Sequence, residues 1–292
     1  MHIALVGSPS TAFADALSRA GHRVVVNPDR LVADVVHRLL DVPVDVSPGT
    51  PLVHTWHPRE PVPTDADRFV VASHVEAAAL ARMGLPRRRI GVVPEAVDLA
   101  KWTPDGPKAR RSARPRLLFH GDADRGFAVL RRLPAAEMLV VTAHHDPLIA
   151  RAGHWGVADR VRPITCADPA LVRSVDVAVH APTGTEPVTP VLEAMACGVP
   201  VVATEVGALP DTVLHGVTGV LVPSATPRAL ARAIQALLTD RTHRAAYAIA
   251  AVDRVEQRHT WDRVAVDALR IYHSALEDVL PDVGREPTAT GS

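Results

Sequence analysis

The sequence has little cysteine: two residues in 292, Cys166 and Cys197. Two cysteines cannot build a disulfide framework and are too few for a cysteine-based structural zinc site. Aromatic side chains make up only 3% of the chain, so its cores must be assembled from Val, Leu, Ile and Ala. Neither sign of charge is in surplus, since 32 Lys and Arg stand against 32 Asp and Glu. That balance argues against nucleic acid as a partner, because neutralising phosphates calls for a basic surplus. No run approaches about 18 uncharged apolar residues, so no transmembrane segment is expected. The opening MHIALVGSPS lacks a basic n-region and a long apolar stretch, so no signal peptide is expected and the location is read as cytoplasmic.

What is present is an ordinary globular composition, 47% hydrophobic and 22% charged. At about 150 residues per domain the length predicts two domains. The first residues alternate between apolar runs and helical spacing. Ile3 to Val6 reads as a strand ended by Gly7; Phe13, Ala16, Leu17 and Ala20 recur as on a helix closed by Gly21; Val24 to Val26 is the next run. Further runs stand at Leu52–Val53, Phe69–Ala72 and Ile90–Val93, with a helix from about Val75 to Met83 ended by Gly84. A second series begins at Arg116–Phe119 and continues at Met138–Thr142, Val161–Ile164, Val175–Val179, Val199–Ala203 and Gly219–Val222. Thr226 suits an N-cap and Pro227 a first turn for a helix reaching Leu238. A last amphipathic helix spans Trp261 to Leu280. Strands alternating with helices predict parallel α/β layers. The expected division is an N-terminal Rossmann-like domain over 1–103, a Pro- and Arg-rich linker over 104–115, a C-terminal domain over 116–258, a helix over 259–280 and a frayed tail over 281–292. A ligand of nucleotide type suits the cleft of such a pair.

Residues 190–223 read PVLEAMACGVPVVATEVGALPDTVLHGVTGVLVP. This stretch resembles the donor-binding domain of glycosyltransferase family 4, whose retaining enzymes have the GT-B fold of two facing Rossmann-like domains. Val92-Val-Pro-Glu-Ala-Val-Asp98 resembles the segment ending that family's first domain, and His54-Thr55-Trp56-His57 its Thr-x-His segment facing the donor sugar. The resemblance implies a metal-independent hexosyltransferase without a cofactor, acting on a nucleotide diphosphate sugar and a small-molecule or glycan acceptor, with the chain an unusually short member. It implies that Glu193 receives the ribose hydroxyls, that Arg125 and Gly121 lie on the donor, and that His57 and a sugar-side carboxylate act in catalysis. A helix beginning near Pro190 would present unpaired N–H groups of Thr189 and Val191, with its positive dipole end, to the diphosphate.

Several residues depart from that pattern. Glu186 and Glu193 enclose one residue fewer than the family's paired glutamates; strict register puts Thr185 at the first position, but Glu186, placed there by a one-residue loop deletion, is the preferred sugar-side carboxylate and Thr185 a donor-binding residue. Glycines are replaced by Pro187-Val188, and Pro187 removes an N–H donor. Asp122 stands after Gly121 where the family has arginine, and Gly7-Ser8-Pro9-Ser10 replaces a glycine pair. Asp122-Ala-Asp124 imitates a divalent-cation motif, but capping aspartates in a strand-to-helix loop are the preferred reading. His144-His145-Asp146 is read as a non-metal turn, since adjacent side chains point apart. Arg87-Arg88-Arg89 would allow peripheral contact with anionic headgroups, against a solvated turn as the plainer reading. Two other functions stay open: a degenerate, non-catalytic relative that binds a nucleotide or partner, and a sugar-nucleotide epimerase.

Overall fold

A computed structural model describes residues 1–40, 42–184, 186–223 and 225–279. Thr185 and the expected tail over 281–292 lie outside the described residues. The chain divides into two units. The first holds Met1–Ala72, Glu76–Val93 and the chain from Trp261; the second holds Pro94–Thr260 with Ser73–Val75.

In the first unit, β1 (His2–Val6), β2 (Arg23–Val26), β3 (Val35–Arg38), β4 (Leu52–Thr55), β5 (Arg68–Val71) and β6 (Ile90–Val92) form one parallel sheet in the order β2-β1-β3-β4-β5-β6. One face carries Ala4, Val36, Leu52, Phe69 and Val71, packed with Trp56 and Leu80. Helix α1 (Thr11–Arg19) buries Phe13, Ala16 and Leu17, and α2 (His74–Arg82) buries Leu80. The last helix, Trp261–Val279, packs on α1, β3, β4 and β5 through Ala265, Ala268, Tyr272 and Ala275. β3 has no clear mark in the sequence. Its Val35-Val-His-Arg38 is buried along its whole length, and two of the four residues are polar or charged. They are tolerated because each is hydrogen-bonded: Arg38 makes a bidentate pair with Asp65 and donates to His54 Nδ1.

The second unit holds β7 (Arg116–Gly121), β8 (Glu137–Val141), β9 (Val161–Ile164), β10 (Val177–Ala181), β11 (Val201–Thr204) and β12 (Gly219–Val222), all parallel in the order β12-β11-β10-β7-β8-β9. Helices cover both faces. α3 (Ala123–Leu130), α4 (His145–His154) and α8 (Pro227–Thr239) share one core with Leu117, Phe119, Val177, Val179 and Val202. On the other face α6 (Thr189–Ala196) and α9 (Arg241–Arg258) pack with Leu118, Ala178, Val201 and Ala203; α5 (Pro169–Val172) and α7 (Leu209–Thr212) are single turns. Thr226 caps α8 by accepting from Ala229 N–H. α6 ends in a Schellman motif: Gly198, at φ +68°, donates to Met195 O and Val199 to Ala194 O.

The stretch 104–115, expected as a linker, belongs to the second unit, which begins at Pro94. Its Pro- and Arg-rich sequence hides the reason, which is a set of backbone attachments. Arg173 donates to Thr103 O and Pro107 O, Ala109 N–H to Ala170 O, and Arg111 to Ser174 O. The buried ring of Trp102 holds the same segment from the inside.

Candidate functional site

In a parallel sheet the carboxyl ends of the strands, and the loops leaving them, are where ligands bind. In the second unit that edge is built from the ends of β7 and β10 and the start of α6. β7 leaves through His120-Gly121. Gly121 adopts φ +139°, and a Cβ there would lie 2.3 Å from Ala181 O of β10. A side chain is excluded by backbone, so glycine is needed for two strand ends to come this close. Asp122 then caps α3 by accepting from Arg125 N–H at 2.9 Å. Asp124 pairs with Arg151 at 2.7 Å and accepts from the Trp155 indole. Both carboxylates thus have structural work in the strand-to-helix connection. His145 has its Nε2 3.3 Å from the Thr165 hydroxyl, separately from His144, which precedes α4.

Arg125 lies at the same edge. Its guanidinium donates to Ala181 O at 2.8 Å and to Pro182 O at 3.5 Å, so it is tied to the end of β10 with further N–H donors to spare. Glu186 is partly buried in the connection between β10 and α6. Glu193 lies in the second turn of α6 and is half-buried. Desolvation raises its carboxyl above the usual range, with the Lys101 charge acting in the opposite sense. No hydrogen bond from another described residue reaches that carboxylate. The cation of Lys101 lies 5.0 Å over the Trp102 ring.

The start of α6 corrects an expectation. Its N–H groups are not open to a ligand. The Glu95 carboxylate accepts from Val188 N–H at 3.0 Å, Thr189 N–H at 3.1 Å and the Thr189 hydroxyl at 2.7 Å. Pro190 has no N–H, and Val191 and Leu192 both donate to Val188 O. Glu95 is itself fixed: His259 Nδ1 donates to Glu95 O at 2.9 Å, and Val97 N–H to His259 O at 2.9 Å. In the sequence Glu95 stands only within the segment Val92–Asp98, and nothing along the chain marks residues 188 and 189 as its partners.

Two histidines were also missed. His120 of β7 and His180 of β10 are register partners, with ring centroids 5.9 Å apart. His180 is 3% exposed, and neither of its ring nitrogens has a hydrogen-bond partner among the described residues. Burial pushes each imidazole down to about 4, so both are neutral near pH 7.

In the first unit, His57 follows β4 with an exposed ring, at the start of a turn closed by Glu60 N–H to His57 O. Behind it runs a buried chain. His37 Nδ1 is 2.6 Å from the Tyr272 hydroxyl, and its Nε2 is 2.7 Å from Thr55 Oγ1. Burial pushes His37 down to about 3 and the Tyr272 phenol up. A separate cavity of about 380 Å³ in the second unit lies around Cys197, Val199 and Val252. A cavity of about 580 Å³ opens at the ends of β1 and β2 in the first unit, lined by Asn27, Asp29, Arg30, Asp45 and Ser47 among others. Strand order reverses here, with β2 and β3 flanking β1, as at a ligand-binding switch point. Arg87–Arg89 forms a short 3-10 turn, and Arg89 donates to Ala66 O and Asp67 O and lies over the Phe69 ring.

Comparison with known proteins adds to this geometry. The model of the family described as Glycosyl transferases group 1 matches residues 125–240. The chain is 33% identical to the D-inositol 3-phosphate glycosyltransferase of Salinispora tropica, over 79% of this chain and 60% of that one. It is 32% identical to the protein of the same name from Actinosynnema mirum, over 78% of this chain and 68% of that one. The chain thus spans about three fifths to two thirds of these relatives' length. Among solved structures, sucrose-phosphate synthase of Thermosynechococcus elongatus superimposes with a TM-score of 0.74 at 18% identity, covering 95% of this chain and 99% of that one. HepE of Anabaena, in complex with UDP and glucose, gives 0.68 at 17% identity, covering 94% and 100%. These likenesses show the fold, two Rossmann-like parallel-sheet domains of GT-B type. No described helix is long and apolar enough to cross a membrane.

Proposed function

The chain belongs to the group 1 glycosyl transferases, and we propose that it moves a hexose from a nucleotide diphosphate sugar to a hydroxyl acceptor, retaining the anomeric configuration. The observation that carries this reading is Glu193. It is a half-buried carboxylate on α6, raised by desolvation and reached by no hydrogen bond from the described residues, in the sequence context LEAMACG. Burying a carboxylate without partners is costly, and a pair of ribose hydroxyls is the kind of donor that would offset the cost.

In the reaction the bond between the anomeric carbon and the diphosphate oxygen breaks. The acceptor oxygen attaches on the face that the leaving group vacates, and the acceptor proton passes to the departing phosphate. Donor hydroxyls are assigned to Glu193, the sugar to Glu186, and the departing diphosphate to the remaining N–H groups of Arg125. His57, exposed at the end of β4, is assigned to the reacting sugar or acceptor. No step draws on a metal or cofactor. The complex of HepE with UDP and glucose supports uridine diphosphate as the donor's leaving group. The names of the relatives support a phosphorylated cyclitol as acceptor, and the first unit's cavity with Arg30 and Ser47 is a place of suitable size.

The test is a thermal-shift screen against UDP, GDP, ADP, dTDP and their sugar conjugates, followed by turnover with the donor that binds. A ligand at 100 times its dissociation constant adds about 2.7 kcal/mol to the stability of the native state. Glu193→Ala is expected to abolish that shift and the turnover; intact binding and turnover in this variant would overturn the assignment. One observation favours a second reading, binding without catalysis: Glu95 occupies the helix end that would steady a departing diphosphate. Binding of the donor without transfer or slow hydrolysis to free sugar would establish it.

A further inference from the structure

The edge of the second sheet presents a difficulty for any diphosphate. The helix start has no N–H to offer, because Glu95 holds those of Val188 and Thr189, Pro190 has none, and Val191 and Leu192 turn back to Val188 O. After β7 the chain has Asp122, an acceptor committed to capping α3. Arg125 has part of its guanidinium bound to Ala181 O and Pro182 O. A diphosphate arriving at these strand ends needs donors besides those Arg125 has to spare.

His120 and His180 are placed to supply them. As register partners on neighbouring parallel strands, their side chains leave the sheet on the same face. Two residues earlier on each strand, Leu118 and Ala178 pack on that face in one core with Val188, Val191 and Leu192. The imidazoles therefore stand next along the strands toward the carboxyl edge, on the face covered by α6. The connection from β10 to α6 is short, so the start of α6 lies at the same edge. His120 is partly open to solvent and His180 lies behind it, almost wholly buried, with both ring nitrogens unpartnered. Buried polar groups are ordinarily hydrogen-bonded, and an exception asks what fills the need. An imidazole pair of this kind serves no packing purpose that Leu would not serve better. It does offer N–H donors beside a helix start whose own N–H groups are taken.

We propose that the His120–His180 pair is a diphosphate-binding element of this site, supplying the N–H donors that Glu95 and Pro190 remove from the start of α6. The assignment rests on the nucleotide-sugar reading above. The two residues determine affinity for the diphosphate group and not for the base.

The experiment is calorimetric titration of the full chain and of His180→Leu and His120→Phe with UDP and, in parallel, uridine. GDP, ADP and dTDP with their nucleosides replace this pair if the screen selects another base. Each variant is expected to lose about tenfold or more in affinity for the diphosphate, the size of one hydrogen bond to a charged group, with nucleoside affinity unchanged. His180→Leu is also expected to melt at or above the temperature of the parent, since it removes an unpartnered buried group, so a fall in affinity is not a failure to fold. A purely structural pair would change melting and leave the ratio of diphosphate to nucleoside affinity where it was. If the parent binds a diphosphate and both variants bind it equally well, the proposal is wrong while the donor reading stands. If the parent binds none of the four diphosphates, the donor reading fails and the proposal with it.

Discussion

The contact between Glu95 and the start of α6 can be tested as a matter of stability. Glu95→Ala leaves Val188 N–H, Thr189 N–H and the Thr189 hydroxyl without their acceptor. Deleting a helix cap costs about 0.5–2 kcal/mol, and a hydrogen bond to a charged group contributes about 1.5–3 kcal/mol. Val188 is buried, so water replaces the carboxylate poorly at one of the three donors, while the partly buried Thr189 is more easily rehydrated. A loss of about 2–3 kcal/mol follows for the second unit. Domains of about 150–250 residues shift by about 2–4 °C per kcal/mol, which corresponds to a melting point lower by roughly 4–12 °C. Circular dichroism melts and urea titrations of parent, Glu95→Ala and Glu95→Gln read this directly. The glutamine variant keeps one amide oxygen but turns an amide N–H₂ toward a second N–H, so about half of the loss is expected. A Glu95→Ala protein within about 0.5 kcal/mol of the parent would refute the argument, because the cap would then be contributing no more than solvent does.

Other consequences are as direct. Tyr272→Phe removes the partner of buried His37 Nδ1 and is expected to cost about 1–3 kcal/mol in urea titration; no change would show that water reaches this ring. Gly121→Ala sets a methyl 2.3 Å from Ala181 O at φ +139°, and a loss of about 2 kcal/mol or more in the second unit is expected. Acid is expected to destabilise both units. His37, His120 and His180 have folded values below the free imidazole's, at about 3, about 4 and about 4. The unfolded chain therefore binds more protons, so their contribution is complete above about 6.5 and is lost as pH falls from there through about 4. Each of His120 and His180 accounts for on the order of 3 kcal/mol across that range. Urea midpoints at pH 7.5, 5.5 and 4.5 should fall in that order and more shallowly in His180→Leu; equal slopes would mean that His180 is solvated.

Much of the fold can be read from periodicity because its elements are short and sharply punctuated. Pro227, placed at a first turn, fixes the start of α8 to the residue, and Gly198 closes α6. Strand boundaries moved by one or two residues, as at Val177–Ala181, where apolar pattern alone does not show which carbonyls a neighbour will accept. β3 was missed because His37 and Arg38 are not apolar and are made tolerable by Tyr272, Thr55, Asp65 and His54, all distant in sequence. α9 was missed because only Ala251 and Val255 of its 18 residues are buried, so it has almost no stripe to detect.

The candidate site divides in the same way. The sequence by itself settled that there is an α/β chain of the glycosyl transferase kind, where α6 begins and ends, and that Glu193 lies on it. Those are properties of neighbours along the chain: spacing, caps and a contiguous motif. What only the tertiary structure decided is which polar groups remain free at the strand ends. A backbone N–H is identical in every residue but proline, so its availability depends on what folds against it. Here a carboxylate from residue 95 takes the donors of residues 188 and 189, and parallel pairing sets His120 beside His180, two residues sixty positions apart.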